Sequence, residues 1–200
     1  LEPKVLLFDE PLSNLDAKLR RQVREDIREI QQKLGVTTIY VTHDQEEALA
    51  ISDKVIVMNN AVIAQDGNPK DLYNFPKNKF VANFIGDANV VKAEIVSKQS
   101  KTYELKLAEM RIKIESDKNL ENSVSVALRP EKIRIETTDN NNCIHASVNN
   151  ASFVGSNYQY IFNSDIGKLY VISGDTNHVF KVGEEVFLSL DEKDVKILND

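Results

Sequence analysis

The sequence predicts two successive structural classes: an α/β segment over residues 1–89 and an all-β domain over residues 90–200. Two observations predict this division. In the first part, short apolar runs alternate with stretches of helical periodicity, an order that is typical of a parallel sheet covered by helices. In the second part, short stretches with alternating character are separated by turn-prone residues, which is typical of a small antiparallel barrel or sandwich.

The α/β segment opens with a continuous apolar run, Val5 to Phe8, which predicts a strand buried on both faces. A helix is predicted from Leu15 to Leu34, because apolar residues recur there at spacings of three or four. Ser13 and Asp16 resemble a capping box at the start of this helix, and Gly35 stands where it would end.

The segment continues with a second strand over the β-branched residues 37–42 and a short helix over residues 45–51. Residues 54–58 and 61–65 read as two strands joined through Asn59 and Asn60, which predicts a hairpin. Two short helices follow, at residues 69–73 and 77–85. The strands predicted for the all-β domain are residues 92–96, 103–107, 111–114, 124–128, 144–153, 158–162, 169–172 and 185–190.

The composition excludes several classes of protein. The chain has 200 residues, of which 42% are hydrophobic and 28% are charged, as in ordinary globular proteins. No apolar run approaches the roughly 20 residues that a membrane-spanning helix needs, and no signal peptide is visible. The net charge of −6, without a basic block, argues against nucleic acid as a partner. The first residue is not Met, so we expect a piece of a longer protein.

The cysteine and histidine content excludes two kinds of site. Cys143 is the only cysteine, so no disulfide can form within the chain. With three histidines besides, a multi-ligand zinc site is not expected. This content fits a reducing, cytoplasmic setting.

Two carboxylates, Asp9 and Glu10, follow the first predicted strand directly. The carboxyl ends of parallel strands form the edge at which such folds bind ligands. There, one carboxylate can hold Mg²⁺ through water while its neighbour polarises an attacking water molecule. Taken alone, such a pair is more often a strand end with solvated acids, so its function depends on what lies beside it.

His43 directly follows the second predicted strand, one crossover after the first. A lone histidine is more often a surface residue or a satisfied core residue than a functional one. Adjacent parallel strands would nevertheless place His43 near Asp9 and Glu10, because both strands end at one edge of the sheet. This placement favours a functional site.

These residues lie in segments that resemble motifs of ABC transporter ATPases. Residues 5–16 resemble the Walker B motif and D-loop, and residues 41–48 resemble the switch-histidine loop, in the same order and at the same spacing. Residues 67–73 and 80–86 resemble the exit from the ATPase domain in importers similar to the maltose, polyamine and ferric-iron systems. For the first part, the resemblance implies an α/β remnant of a P-loop (RecA-like) ATPase domain.

The second part resembles a regulatory domain of the same importers. Residues 129–131 and 153–155 are similar to the TOBE domain, an oligonucleotide-binding-like β-barrel. The resemblance therefore implies two domains: residues 1–89 as the C-terminal part of the ATPase domain, and residues 90–200 as a TOBE-like β domain.

The resemblance also implies roles for four residues at an ATP site. Asp9 would support the Mg²⁺ of MgATP through water, and Glu10 would act as general base or position the attacking water. His43 would contact the γ-phosphate, and Asp16 would reach across a dimer interface to the ATP site of the partner. Electrostatic positioning is most of what phosphoryl transfer requires, so an acid, a base and a polar clamp suffice as a pattern.

The implied partners follow from the same resemblance. They are a second ATPase subunit in a homodimer, transmembrane permease subunits and, indirectly, a solute-binding protein. The implied location is peripheral, at the cytoplasmic face of the cell membrane. Polyamines, ferric iron, sugars and phosphonates are all compatible solutes, because the binding protein and the permease choose the solute.

The phosphate-binding loop of such an ATPase is not in this sequence. That loop requires G-x-x-x-x-G-K-[ST], and no two of the seven glycines are five residues apart. No Gly-Gly pair is present either, so the Leu-Ser-Gly-Gly-Gln signature is missing. Without the amide cradle and its lysine, we expect a C-terminal fragment that alone neither binds MgATP tightly nor hydrolyses it.

Three functional interpretations stay open. The first is the energising ATPase subunit of an importer, in which ATP-driven dimer closure moves a membrane partner. The second is a regulatory module, in which the β domain binds a small ligand or mediates dimerisation. The third, an unrelated βαβ protein, requires the match over residues 9–16 and 43–48 to be accidental.

An incomplete sheet has a structural consequence. Its strands would expose unpaired edges and apolar faces, so we expect non-native or swapped association. Other features are interpreted as structural. Residues 129–131 form either a turn with an ion pair or a subunit contact, and Tyr158, Tyr160 and Phe162 pack on one face of a sheet.

The arginine-rich face of the predicted long helix has an ordinary explanation. It is interpreted as solvated and held by ion pairs at i,i+4 spacing. The arginines concerned are Arg20, Arg21, Arg24 and Arg28.

Overall fold

The computed structural model describes residues 3–199, which divide into two units after Asn74. The first unit holds strands β1–β4 and helices α1–α3, and the second holds helix α4 and strands β5–β14. The ATPase domain boundary that the change of periodicity predicts at residue 89 stays a prediction. Among residues 3–199, no helix is long and apolar enough to cross a membrane.

The first unit begins with two parallel strands joined through a helix. Strand β1 is Val5–Asp9, helix α1 is Ala17–Leu34 and strand β2 is Thr37–Val41. The strands pair in register from Val5 opposite Thr37 to Asp9 opposite Val41. Because a crossover helix returns the chain to the same end of the sheet, both strands finish at one edge.

Helix α1 begins two residues later than its apolar pattern predicts. Asp16 is its N-cap, and Asp16 Oδ1 accepts from the backbone N–H groups of Lys18 and Leu19 at 3.0 Å each. Ser13, which the sequence placed in a capping box, donates instead to the carbonyl oxygen of Glu10 at 3.0 Å. The predicted end is confirmed, because Gly35 has φ +61° and its N–H donates to the carbonyl of Gln31.

The rest of the first unit follows the predicted order. Helix α2 is Gln45–Ile51, strands β3 and β4 are Val55–Asn59 and Val62–Gly67, and helix α3 is Pro69–Asn74. Strands β3 and β4 form the antiparallel hairpin. Its turn lies one residue later than predicted, at Asn60 and Ala61, which both have positive φ, as a type I′ turn requires.

One face of the parallel strand pair is exposed. Its apolar residues Val5, Leu7, Ile39 and Val41 are 51%, 69%, 54% and 46% exposed, respectively. The prediction that the first strand is buried on both faces is therefore wrong for this chain, because a continuous apolar run does not show which of its faces is covered. The expected exposure of apolar faces is confirmed, and the association expected from it stays a prediction.

The second unit is all-β apart from short helices, as predicted. Helix α4 is Lys79–Phe84, and single 3₁₀ turns lie at Pro130–Lys132 and Glu192–Asp194. The strands are β5 Asn89–Gln99, β6 Thr102–Leu107, β7 Met110–Glu115, β8 Ser123–Leu128, β9 Arg134–Glu136, β10 Ile144–Phe153, β11 Tyr158–Ser164, β12 Gly167–Ser173, β13 Glu185–Ser189 and β14 Lys196–Ile197.

The strands form two antiparallel sheets with five strands each. The first has the order β14-β8-β5-β6-β7 and the second the order β12-β11-β10-β13-β9. The short strands β9 and β14, which the sequence did not predict, lie at sheet edges and pair over three and two residues. Pairs this short carry too little alternation to be visible in a sequence.

Alternating residues of these sheets build one continuous core. Tyr103, Tyr160 and Phe162 are among its largest fully buried side chains. Tyr158, Tyr160 and Phe162 stack along β11 with ring centroids 5.8 and 5.6 Å apart, which confirms the interpretation that they share a sheet face. The Tyr103 hydroxyl donates to the carbonyl of Lys118 at 2.8 Å, so its polar end is satisfied inside the core.

Two polar side chains fasten the second unit internally. The Asn89 amide donates to the carbonyl of Tyr170 and accepts from the Tyr170 N–H, both at 2.7 Å, and so links β5 to β12. Arg129 is buried and donates to the carbonyls of Ala82 at 3.1 Å and of Ile85, at the end of α4. Arg129 therefore packs inside this unit and adds hydrogen bonds to carbonyls at the C-terminal end of α4.

Candidate functional site

The carboxyl edge of the parallel strand pair brings two predicted site residues together. The N–H of Glu10 donates to the carbonyl of Val41 at 2.9 Å and so extends the pairing one residue beyond Asp9. Glu10 has φ +45°, a left-handed conformation that turns the chain away from the strand direction. The Nδ1 atom of His43 lies 3.2 Å from Glu10 Oε1.

The Glu10–His43 pair is open to solvent. The His43 side chain is 73% exposed and that of Glu10 is 46% exposed. Asp9 is also exposed, on the same strand face as Val5 and Leu7. This edge therefore presents two carboxylates and an imidazole outward, where a ligand can reach them.

Asp16 lies in the loop between β1 and α1, and its carboxylate caps the helix. Within residues 3–199, no hydrogen bond or ion pair joins Asp16 to Asp9, Glu10 or His43. The loop itself is held by Leu12, which is buried, and by the N–H of Leu15, which donates to the carbonyl of Leu12. In this chain the Asp16 carboxylate therefore serves as the N-cap of α1.

The residues on either side of His43 are fixed by a buried carboxylate that sequence reasoning missed. Glu47 Oε2 accepts from the hydroxyls of Thr42 at 2.8 Å and Tyr40 at 3.1 Å. The Asp44 N–H donates to Thr42 Oγ1 at 3.0 Å. Burial raises the pKa of Tyr40, and the adjacent Glu47 carboxylate raises it further, so Tyr40 stays a neutral donor.

Arg20 is a second residue that sequence reasoning missed. Its Nη2 donates to the carbonyl of Leu15 at 3.1 Å, and its Nη1 donates to Asp44 Oδ2 at 3.5 Å. The solvated interpretation of the arginine face is correct for Arg21, which pairs with Glu25 at i,i+4. It is wrong for Arg20 and for Arg28, which binds Asp53 with both terminal nitrogens at 3.1 and 2.5 Å.

A signal for Arg20 does exist in the sequence. Arg20 precedes Val23 by three residues and Ile27 by seven, so it stands on the border of the apolar stripe of α1. A cation at such a border lies close to whatever the helix packs against. Glu47 offers no comparable signal, because its neighbour Glu46 is also acidic.

The donor set of this edge fits part of an MgATP site. Carboxylate oxygen is a ligand type that Mg²⁺ prefers, and Asp9 can supply it through water. Within residues 3–199, no cluster of three or more His, Cys, Asp or Glu side chains could hold a metal directly. A cradle of backbone amides for phosphates would have to come from another segment, because the glycine pattern that forms it is not in this sequence.

Comparisons with known proteins point to one class of transport protein. Residues 126–198 match the family described as "TOBE domain". The Fe(3+) ions import ATP-binding protein FbpC of Agrobacterium fabrum is 40% identical over 199 residues, which cover 100% of this chain and 56% of that protein. Its counterpart in Fusobacterium nucleatum is 38% identical over 205 residues, covering 100% of this chain and 54% of the relative.

This chain therefore spans about half the length of the curated relatives that it matches. Among solved structures, the cytoplasmic molybdate-binding protein ModG matches with a TM-score of 0.45 and 9% identity. That match covers 54% of this chain and 92% of the other. A likeness this weak says nothing about a shared ligand.

Proposed function

We propose that this chain, which is related over its whole length to the ATP-binding subunits of ABC importers, works as the C-terminal part of such a subunit. In the intact protein it would couple ATP hydrolysis to solute uptake. The observation that carries the proposal is the pairing of Glu10 with His43 at the edge where two parallel strands end. The names of the relatives favour ferric ions as the solute.

Each residue at the edge has a chemical task in this proposal. Glu10 would take or orient the proton of the attacking water, because its carboxylate is exposed and faces outward. His43, in its imidazolium form, donates from both ring nitrogens. Its Nδ1–H would then face Glu10 while Nε2–H is left for a phosphate oxygen, which would hold the transferring group in place.

Two further residues complete the proposed site. Asp9 would hold Mg²⁺ through water, and the bound ion would neutralise charge that develops on the phosphates. Asp16 would act toward a second subunit, as the resemblance of its segment to a D-loop implies. The proposed partners are therefore a second ATPase subunit and transmembrane permease subunits, with the chain peripheral to the cytoplasmic side of the membrane.

The exposed strand face supports the proposed ATPase fold. Parallel sheets are covered on both faces in known architectures, and Val5, Leu7, Ile39 and Val41 are about half exposed or more. We infer that this face is where further layers of a P-loop ATPase domain would pack. The relatives, at nearly twice the length, have residues enough to supply them.

Calorimetric titration of MgATP tests the proposal. We expect no binding to the 200-residue chain in the micromolar range. A chimera that adds the part of the Agrobacterium fabrum relative not covered by this chain should bind MgATP and hydrolyse it. In that chimera, Glu10→Gln should keep binding and lower turnover by about a hundredfold or more, the scale of a general-base contribution.

Glu25→Gln is the matched control, since Glu25 is an exposed carboxylate on α1 that pairs with Arg21 along the helix. It should leave turnover unchanged. Turnover that survives Glu10→Gln, or that falls equally with Glu25→Gln, would contradict the role given to this edge.

The TOBE match favours a second candidate function, a regulatory module in the β domain. In that case a small ligand would bind the second unit independently of nucleotide. A rise in its melting temperature with the ligand present and MgATP absent would distinguish this function from the first.

A further inference from the structure

The loop that carries Asp16 and the loop that carries His43 are joined by one side chain. Arg20 lies in the first turns of α1, and its Nη2 holds the carbonyl of Leu15 at 3.1 Å, directly before Asp16. Its Nη1 holds Asp44 Oδ2 at 3.5 Å, directly after His43. A single guanidinium thus reaches both loops at once, which a planar fork of donors allows.

Glu47 anchors the other side of this link. Its side chain is 4% exposed, and Glu47 Oε1 lies 4.0 Å from Arg20 Nε. A carboxylate is unfavourable in the interior unless a cation and hydrogen-bond donors compensate it. Arg20 is the cation, and the hydroxyls of Tyr40 and Thr42 are the donors.

The hydrogen bonds of Thr42 extend this anchor to both neighbours of His43. The Thr42 hydroxyl donates to Glu47 and accepts from the N–H of Asp44. Asp44 in turn caps α2, where Asp44 Oδ1 accepts from the N–H groups of Glu46 and Glu47. The two half-buried residues that flank His43 are therefore held by hydrogen bonds, while His43 itself is exposed.

The environment of Arg20 differs from that of an arginine on a solvent-exposed helix face. The Arg20 side chain is 35% exposed, whereas that of Arg21, the next residue, is 75% exposed. The Nε–H of Arg20 is buried and makes no hydrogen bond to any described residue. If Glu47 Oε1 moved about 1 Å closer to Arg20 Nε, a hydrogen bond would form between them, since such bonds form near 3 Å.

We propose that Arg20 and Glu47 are positioning residues that couple the loop of residues 10–16 to the loop of residues 42–44. Displacing either loop changes the contacts of Arg20 and so disturbs the other. The catalytic meaning of this coupling rests on the proposed function: Asp16 would face the site of a second subunit while His43 faces the site of its own chain. Arg20 would then link the two sites through one helix.

Amide hydrogen exchange in the full 200-residue chain, without nucleotide, tests the coupling. The first variant is Glu47→Gln, which keeps the size and the acceptor oxygen of the side chain but removes its charge. The amides to follow are those of Ser13 and Leu15, which are hydrogen-bonded within the loop and do not contact Glu47. We expect their exchange to accelerate about tenfold, because a link to Arg20 is lost at a distance.

The second variant, Arg20→Lys, keeps the charge but cannot bridge Leu15 and Asp44 simultaneously. It should accelerate exchange in both loops by a similar factor. Arg21→Lys is the matched control on the same helix and should leave both loops unchanged. The imidazole NMR signals of His43 should shift in both test variants, while those of His145 and His178, in the second unit, stay in place.

Several outcomes would overturn the coupling. They are wild-type exchange at Ser13 and Leu15 in Glu47→Gln, equal acceleration in Arg21→Lys, or acceleration spread evenly along α1. If Arg20→Lys fails to fold, Glu47→Gln decides alone. No nucleotide is present, so failure here leaves the proposed function untouched, and failure of the chimera to hydrolyse ATP leaves the coupling untouched.

Discussion

The first and second units differ in how much of their apolar surface they cover themselves. Among the described residues, five buried apolar side chains lie in the first unit and thirty-one in the second. Large exposed apolar side chains show the opposite trend, with eleven in the first unit and eight in the second, although the first unit is much the shorter. The β unit closes around its own core, whereas the α/β unit leaves much of its apolar surface exposed.

This difference bears on function as well as on stability. In the second unit, Asn89, Tyr103 and Arg129 make hydrogen bonds to backbone carbonyls within the unit. The first unit uses its polar groups to fix two loops at an open edge and leaves Glu10 and His43 exposed. Loops held by a scaffold are the usual carriers of function, and the candidate site lies on such loops in the first unit.

The largest test of this comparison is a matched pair of truncations. Phe162 is fully buried in the second unit, and Leu7 is 69% exposed in the first. Phe162→Ala should lower the free energy of unfolding by about 3–5 kcal/mol, because it removes buried contacts and leaves a cavity. Leu7→Ala should change it by no more than about 0.5 kcal/mol. Chemical denaturation followed by circular dichroism measures both, and equal losses would refute the comparison.

A medium effect is expected at the buried arginine of the second unit. Arg129→Met removes the donor for the carbonyls of Ala82 and Ile85 and should cost about 2–4 kcal/mol of unfolding free energy. Arg129→Lys should restore only part of the lost unfolding free energy, because the ammonium group keeps the charge but lacks the planar fork of donors. Arg111→Met is the control, since that side chain is 55% exposed. A loss in the control as large as that in Arg129→Met would show that burial is not the cause.

The smallest effect is expected at the ion pair between Arg28 and Asp53 in the first unit. The hydrogen bond from Arg28 lowers the pKa of Asp53 below its ordinary value. A carboxyl whose pKa is lower when folded adds stability above its unfolded pKa, near 3.9, and loses it as pH falls through the folded pKa. The Asp53 side chain is 76% exposed, so Asp53→Asn should cost under about 1 kcal/mol at pH 7.

The pH dependence of that loss is the diagnostic. The difference in stability between the wild type and Asp53→Asn should be constant from pH 7 to about pH 5, and it should shrink below about pH 4. Thermal melts over this range measure it. A difference that grows as the pH falls would mean that some other group is responsible.

Much of the fold could be predicted from local pattern. The end of α1 at Gly35, the hairpin of β3 and β4, and most strands of the second unit follow from periodicity and turn chemistry. The misses have local causes. Asp16 rather than Ser13 caps α1, because Ser13 hydrogen-bonds within its own turn, and the edge strands β9 and β14 are too short to show alternation.

The residues of the candidate site also fall into two groups, those that the sequence predicts and those that it does not. Asp9, Glu10 and His43 could be predicted because strand ends are visible in the sequence and parallel strands share an edge. Glu47 could not, since a charged residue on a helix has the same local pattern whether it is solvated or paired. Arg20 stands at the border of an apolar stripe, which indicates nearby packing but does not identify its partner. Arg20 precedes Asp44 by 24 positions and Glu47 by 27, and only packing brings these side chains together.

The sequence by itself determined the order of elements, the change from helical to alternating period and the polar residues near the ends of the two parallel strands. These are local properties, because hydrophobic period and turn preference act over a few residues. Tertiary structure alone decided which strand face is exposed, which arginines are buried, and that Thr42, Glu47 and Arg20 form one network around His43. Burial and charge pairing depend on residues distant along the chain, so no local pattern records them.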